Sequence, residues 1–151
     1  MVLLRGVDER GFVFYTNLTS EKGRQLEENK AAALCFHWDP LKEQVRIEGT
    51  VEPVSGKEAD EYWKTRPRES QIGAWASRQS ETLESREVLV NRVAEVEAKF
   101  EGQEMPRPDF WSGFRVVPNR IEFWKGMPSR LHERIVYELG EDGWTKRMLY
   151  P

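Results

Sequence analysis

The chain has 151 residues, 38% hydrophobic and 32% charged, with a net charge of −3. A domain of this size buries roughly 70% of its unfolded surface, so a core forms without staples. Cys35 is the single cysteine, which excludes a disulfide framework and thiolate zinc sites, and the acidic balance argues against a general nucleic-acid binder. The longest apolar run, Ala31 to Phe36, is too short to span a bilayer, and Met-Val-Leu-Leu-Arg does not read as a secretory signal. The expectation is a soluble, cytoplasmic, single-domain protein over residues 1–151. Six Trp, seven Phe and four Tyr suit a flat ligand or a large interface.

In chain order, Met1 to Arg5 reads as an apolar strand. A turn at Val7 to Gly11 leads into a β-branched and aromatic strand, Phe12 to Thr16, and the two make a hairpin. Ser20 is an N-cap for a helix from Glu21 to Asn29. Ala31 to Trp38 is a continuous apolar strand, expected to be buried on both faces, with Cys35 an inert buried thiol within it. Asp39-Pro40 breaks it. Gln44 to Val54 alternates, with Val45, Ile47, Gly49 and Val51 facing inward.

Ser55 and Glu58 form a capping box for a helix through Tyr62 and Trp63, which Arg66-Pro67-Arg68 interrupts. Gln71 to Ala76 suggests another helical turn, and Ser77 to Thr82 a loop. Ser85 to Phe100 is the clearest helix, with Leu89, Val93, Val96 and Phe100 on one face. Three strands are expected next: Gly113 to Val117, Arg120 to Trp124, and Arg130 to Glu138. Glu141-Asp142-Gly143 turns into a last strand, Trp144 to Leu149. Strands outnumber helices in hairpin order. That predicts a mainly β, α+β fold: an antiparallel barrel with helices packed outside.

The chain has no Gly-x-Gly-x-x-Gly, no P-loop and no Gly-x-Ser-x-Gly elbow. His132-Glu133 starts a metalloprotease pattern, but Val136 stands where the second ligand belongs. The only histidines are His37 and His132, and two histidines with one cysteine make a poor metal site.

Three constellations remain. Ser20-Glu21-Lys22 at a helix start is either a phosphate cradle or an ordinary capped helix. Tyr62, Arg66 and Ser70 recur at helical spacing, so hydroxyl, guanidinium and hydroxyl either converge on a phosphate or lie on a solvated helix end. In a strand, Arg130, His132 and Arg134 share one face. The two guanidiniums would repel unless an anion lay between them; a plain surface stripe is the alternative.

Six segments occur together in order: Phe14-Tyr15-Thr16-Asn17, Arg66 to Ala74, Ser77-Arg78-Gln79-Ser80, Phe110-Trp111-Ser112-Gly113-Phe114, Glu122-Phe123-Trp124 and Arg130-Leu131-His132-Glu133-Arg134. As an ordered set they resemble the pyridoxine (pyridoxamine) 5′-phosphate oxidases over nearly the whole chain. The resemblance implies an FMN-binding split β-barrel of antiparallel Greek-key type. It implies a homodimer with FMN at the subunit interface. The implied reaction is oxidation of pyridoxine or pyridoxamine 5′-phosphate to pyridoxal 5′-phosphate, with O2 as acceptor and H2O2 as product. It implies that Tyr15, Thr16, Lys22, Gln44, Gln79, Ser80, Trp124 and Arg134 surround FMN. Arg5, Tyr62, Arg66 and Ser70 would hold the substrate phosphate. Arg130, Leu131 and His132 would lie against the substrate, with Arg130 and His132 catalytic.

The chain departs from the family pattern in three places. Arg5 stands where the family usually has Lys. Glu21 stands where it commonly has a basic residue on the FMN phosphate. Family chains also carry a segment ahead of Met1, with an Arg that contacts the same phosphate. Two other readings share these residues: a split-barrel flavin oxidase of phenazine type, and a non-catalytic barrel that binds FMN or pyridoxal phosphate.

Overall fold

A computed structural model describes residues 1–151. Seven strands carry the chain: β1 (Gly6–Asp8), β2 (Gly11–Asn17), β3 (Ala31–Trp38), β4 (Glu43–Pro53), β5 (Trp111–Lys125), β6 (Glu133–Gly140) and β7 (Gly143–Met148). Four helices interleave: α1 (Glu21–Glu28), α2 (Gly56–Lys64), α3 (Arg68–Ala76) and α4 (Arg86–Lys99). The strands share one sheet in the order β1-β2-β5-β4-β3, with β6 on β5 and β7 on β6. The pairs β3–β4, β5–β6 and β6–β7 are antiparallel. The residues divide into two compact units.

The first unit holds residues 1–5, 13–29 and 53–114. Its helices start where the capping chemistry predicts. Ser20, Ser55 and Ser85 each accept an N–H from the third residue beyond, Gly23, Glu58 and Val88. Pro67 precedes α3, so Arg66-Pro67 separates two helices instead of ending the helical region. Trp63, Ile72, Phe100, Met105 and Trp111 form the core, with Val93 and Val96 of α4 packed on it. The Trp63 indole N–H donates to the Met105 carbonyl at 2.8 Å, so the largest core side chain carries no orphaned donor.

The second unit holds residues 6–12, 30–52 and 115–151. Ile47, Val51, Val116 and Val136 are its buried aliphatic residues. Glu122 is buried among them at 2% exposure, and three guanidiniums neutralise it: Arg46 at 2.7 Å, Arg134 at 2.8 Å and Arg120 at 3.1 Å. Arg120 also pairs with Glu48 and Glu138, and Arg147 pairs with Glu138. The Glu122 carboxyl is held down at about 2, chiefly by the Arg134 hydrogen bond and against the opposing effect of burial.

Four expectations are corrected. Met1 to Arg5 is not a strand; the first strand is Gly6–Asp8. Only the Arg5 N–H bonds backbone, to the Val13 carbonyl at 2.8 Å. β3 is a strand but not a buried one, because it ends the sheet path and its odd residues face outward; Cys35 is exposed. The segments Gly113 to Val117 and Arg120 to Trp124 are one strand, β5. Pro118 lies within this strand, ahead of the pairing with β6, which begins at Arg120 opposite Glu138. Arg130 lies in a short 3-10 turn, Pro128–Arg130, with Ser129 and Arg130 both left-handed, and β6 starts only at Glu133. Arg130, His132 and Arg134 therefore do not form one strand face.

Candidate active site

A cavity of about 570 Å³ opens in the first unit. Eight of the expected residues line it: Arg5, Tyr15, Thr16, Lys22, Tyr62, Arg66, Ser70 and Gln79. Met1, Val2, Leu3, Thr65 and Pro67 complete the wall. Three side-chain cations line this space and no carboxylate does, which suits a ligand with phosphate groups.

Each polar group is positioned by a distinct local feature. β2 presents Tyr15 and Thr16. The loop after α3 brings in Gln79, whose side-chain oxygen accepts from the Thr16 hydroxyl at 3.4 Å and the Asn17 N–H at 3.2 Å. α1 presents Lys22, whereas the Ser20 hydroxyl is consumed: it donates to the Asn17 carbonyl and accepts from Gly23. Ser20 is thus a cap and not a phosphate ligand, which narrows the Ser20-Glu21-Lys22 expectation to Lys22. Glu21 accepts from the Gln25 amide along α1 at 3.2 Å and does not line the cavity.

Tyr62 sits on α2, Arg66 lies in the turn between the helices, and Ser70 lies in the first turn of α3. The helix does not continue through them, yet they still converge, because one Arg66 nitrogen donates to the Ser70 carbonyl at 2.8 Å. The Tyr62 ring stacks on Tyr15 at 4.0 Å, and the Arg5 guanidinium lies 6.0 Å from the centre of the Tyr62 ring. Burial pushes the Arg66 guanidinium below its usual value; Tyr62 opposes this and the nearby Arg5 cation adds to it. Arg66 Nε is buried with no hydrogen-bond partner. A cation that is desolvated, crowded by another cation and short of an acceptor fits an anionic ligand.

The second unit carries the other expected residues. Trp124 and His132 line a smaller cavity of about 510 Å³ with His37, Asp39, Lys42, Gly126, Met127 and Pro128. The two rings pack at 4.7 Å. The Met127 N–H donates to His132 Nδ1 at 3.2 Å, which leaves Nε2 as the proton-bearing nitrogen. Arg134 sits opposite Trp124 on the neighbouring strand and reaches diagonally to Glu122; its other hydrogen bond goes to the Tyr150 carbonyl. Glu122 in turn raises the Arg134 guanidinium above its usual value. Arg130 and Leu131 are exposed at the 3-10 turn, and Gln44 is half-buried on β4 opposite His37. Ser80 lies in the first unit in a left-handed conformation, in the hollow beside α4 and not in the main cavity.

Sequence reasoning passed over Thr65, the apolar Met1 to Leu3 segment and the Met127 backbone donor. It quoted Glu122 in a motif but gave it no role, because its three arginine partners come from another position on its own strand and from neighbouring strands.

Among solved structures, the chain resembles PhzG of Burkholderia lata 383, determined with tetrahydrophenazine-1-carboxylic acid: TM-score 0.93, 35% identity, 99% of this chain and 73% of that one. A pyridoxamine 5′-phosphate oxidase-related, FMN binding protein from Nostoc punctiforme shares the fold alone: TM-score 0.77, 14% identity, 99% of this chain and 79% of that one. The sheet, its helices and these neighbours define a split-barrel fold. Residues 1–100 match the family model described as pyridoxamine 5′-phosphate oxidase, and residues 111–151 the pyridoxine 5′-phosphate oxidase C-terminal dimerisation region. Pyridoxine/pyridoxamine 5′-phosphate oxidases of Alkalilimnicola ehrlichii and Myxococcus xanthus are 63% and 60% identical. The alignments cover 99% and 100% of this chain, and 77% and 73% of theirs. The chain belongs to the pyridoxamine 5′-phosphate oxidase family. No helix is long and apolar enough to cross a membrane.

Proposed function

We propose that this protein is a homodimeric, FMN-dependent oxidase of pyridoxine and pyridoxamine 5′-phosphates. For the alcohol, the net reaction is pyridoxine 5′-phosphate plus O2 giving pyridoxal 5′-phosphate plus H2O2. One observation carries the reading: eight residues expected on two phosphate-bearing ligands line one cavity that has three cations and no carboxylate. The donor set fits FMN and substrate as well, since both pair a flat ring with a phosphate dianion.

In this reading Arg5, Tyr62, Arg66 and Ser70 bind the substrate phosphate. Tyr15, Thr16, Lys22 and Gln79, with Gln44, Ser80, Trp124 and Arg134, hold FMN at the subunit interface. FMN, when bound, supplies the two-electron oxidation. Arg130, Leu131 and His132 orient the substrate ring. His132, fixed by the Met127 N–H on Nδ1, and the Arg130 guanidinium would orient the substrate by hydrogen bonds and assist the movement of charge as C4′ gives up a hydride and its hydroxyl releases a proton to solvent. The segment matching a dimerisation region supports the second subunit.

The likeness to PhzG favours one alternative, a phenazine-type oxidase. The higher identity to the vitamin B6 enzymes weighs against it. Aerobic incubation of the FMN-loaded protein with pyridoxine 5′-phosphate separates the readings. Aldehyde and peroxide in equal amounts are expected. Binding without product would leave a non-catalytic module, and turnover of a reduced phenazine carboxylate alone would leave the phenazine reading.

A further inference from the structure

The segment Phe110-Trp111-Ser112-Gly113-Phe114 has no role in the site as described, yet it lies directly behind it. Trp111 opens β5 and is 4% exposed. The Arg66 guanidinium sits over its ring, 4.6 Å from the centroid, and lies 5.4 Å from the Trp63 ring, which meets Trp111 edge-on at 5.0 Å. The Tyr15 ring lies parallel to Trp111 at 5.1 Å and stacks in turn on Tyr62. Trp111 thus touches the phosphate-binding arginine and one ring from the proposed cofactor set.

Its own position is fixed from the backbone. The Trp111 N–H donates to the Pro108 carbonyl at 3.0 Å, and its carbonyl accepts from Arg107 at 2.8 Å. Arg107 also pairs with Asp60 on α2, the helix that carries Tyr62, at 2.6 Å. Gly113, two residues along β5, keeps the aromatic column intact. A Cβ there would lie 2.8 Å from two atoms of the Tyr15 ring and 3.0 Å from Val54. Arg66 has few other restraints: one hydrogen bond to the Ser70 carbonyl, and an unpartnered Nε. The indole face supplies what the hydrogen bonds do not. It holds a planar cation in one place without consuming its donors.

We propose that Trp111 is a positioning residue that presents Arg66 to the substrate phosphate, and so sets the preference for phosphorylated over unphosphorylated pyridoxine. The inference rests on the reading that Arg66 binds that phosphate. Preorganising one guanidinium on an aromatic face typically contributes enough to change affinity about tenfold.

The test is a double-mutant cycle on the FMN-loaded protein, read by calorimetric titration with pyridoxine 5′-phosphate and with pyridoxine. Trp111→Leu is expected to weaken the phosphorylated ligand about tenfold and leave pyridoxine within about twofold. Added to Arg66→Ala, it is expected to cost nothing further, because Trp111 acts through Arg66. Trp111→Phe keeps a ring face and is expected to restore most of the loss. It also serves as the probe, with a smaller expected effect, if the Leu variant does not fold. Equal weakening of both ligands, or full additivity with Arg66→Ala, overturns the proposal and leaves Trp111 a core residue. If Arg66→Ala itself leaves the ratio of the two affinities unchanged, the phosphate reading of Arg66 fails, and the proposal fails with it.

Discussion

Replacing Glu122 by Gln removes the one buried anion to which Arg46, Arg120 and Arg134 all bond. The carboxyl falls from its ordinary 4.5 to about 2 in the folded protein. That difference corresponds to about 3 kcal/mol of folding stability at pH 7. Breaking a buried pair from one side costs about the same, roughly 3–5 kcal/mol, since the arginines keep their charge. For a chain of this size the variant should melt about 6–12 °C below the wild type. A depressed carboxyl contributes stability that is complete above its unfolded pKa and is lost as pH falls through its folded value. The wild-type advantage is therefore full at pH 7, begins to shrink below about 4.5, and is mostly gone near 2. Urea unfolding of both proteins at matched concentration, at pH 7 and at pH 3, measures the gap. It should shrink by about half or more between the two. A gap under about 1 kcal/mol at pH 7, or one that is the same at pH 3, would refute the reasoning.

The remaining expectations concern the site. Glu21→Arg should change FMN affinity less than about threefold, because Glu21 bonds to Gln25 and lies outside the cavity; a tenfold tightening in a flavin titration would place it beside the phosphate. Arg130→Ala and His132→Ala should lower the rate of flavin reduction at saturating substrate by about a hundredfold with FMN content near wild type. Reduction at the wild-type rate would make both residues binding groups only. Light scattering of the FMN-loaded protein should give a dimer at micromolar concentration, where exposed Trp38, Leu139, Trp144 and Met148 of the second unit supply apolar surface; a stable monomer would contradict the interface.

Much of the fold was legible where chemistry is local. Ser20, Ser55 and Ser85 announce their helices because a cap needs only a hydroxyl and three residues of spacing. The alternation of β4 likewise shows its buried face directly. Burial of β3 was not legible, because an all-apolar run carries no period to tell an end strand from a central one, and Cys35 was misplaced with it. The Arg130 stripe failed for a related reason. Period-two reasoning holds only inside a strand, and two left-handed residues, Ser129 and Arg130, end that assumption. Of the main-cavity residues, Tyr15, Thr16, Arg66, Ser70 and Gln79 lie in the ordered motifs. Helical spacing also picked out Tyr62, Arg66 and Ser70, but by the wrong argument for the last two, which lie past the end of α2. Glu122 and Trp111 stood in the ordered motifs, but their roles stayed hidden because their partners are brought by strand register and by packing across elements.

The central claim is that the cationic cavity serves oxidation of a phosphorylated pyridoxine. Anaerobic mixing of the FMN-loaded protein with pyridoxine 5′-phosphate, followed by flavin absorbance in a single turnover, tests it most directly. The account predicts full bleaching of the flavin with one equivalent of pyridoxal 5′-phosphate, and much slower bleaching with pyridoxine or after Arg66→Ala. A flavin that binds the phosphate ester and stays oxidised would contradict it.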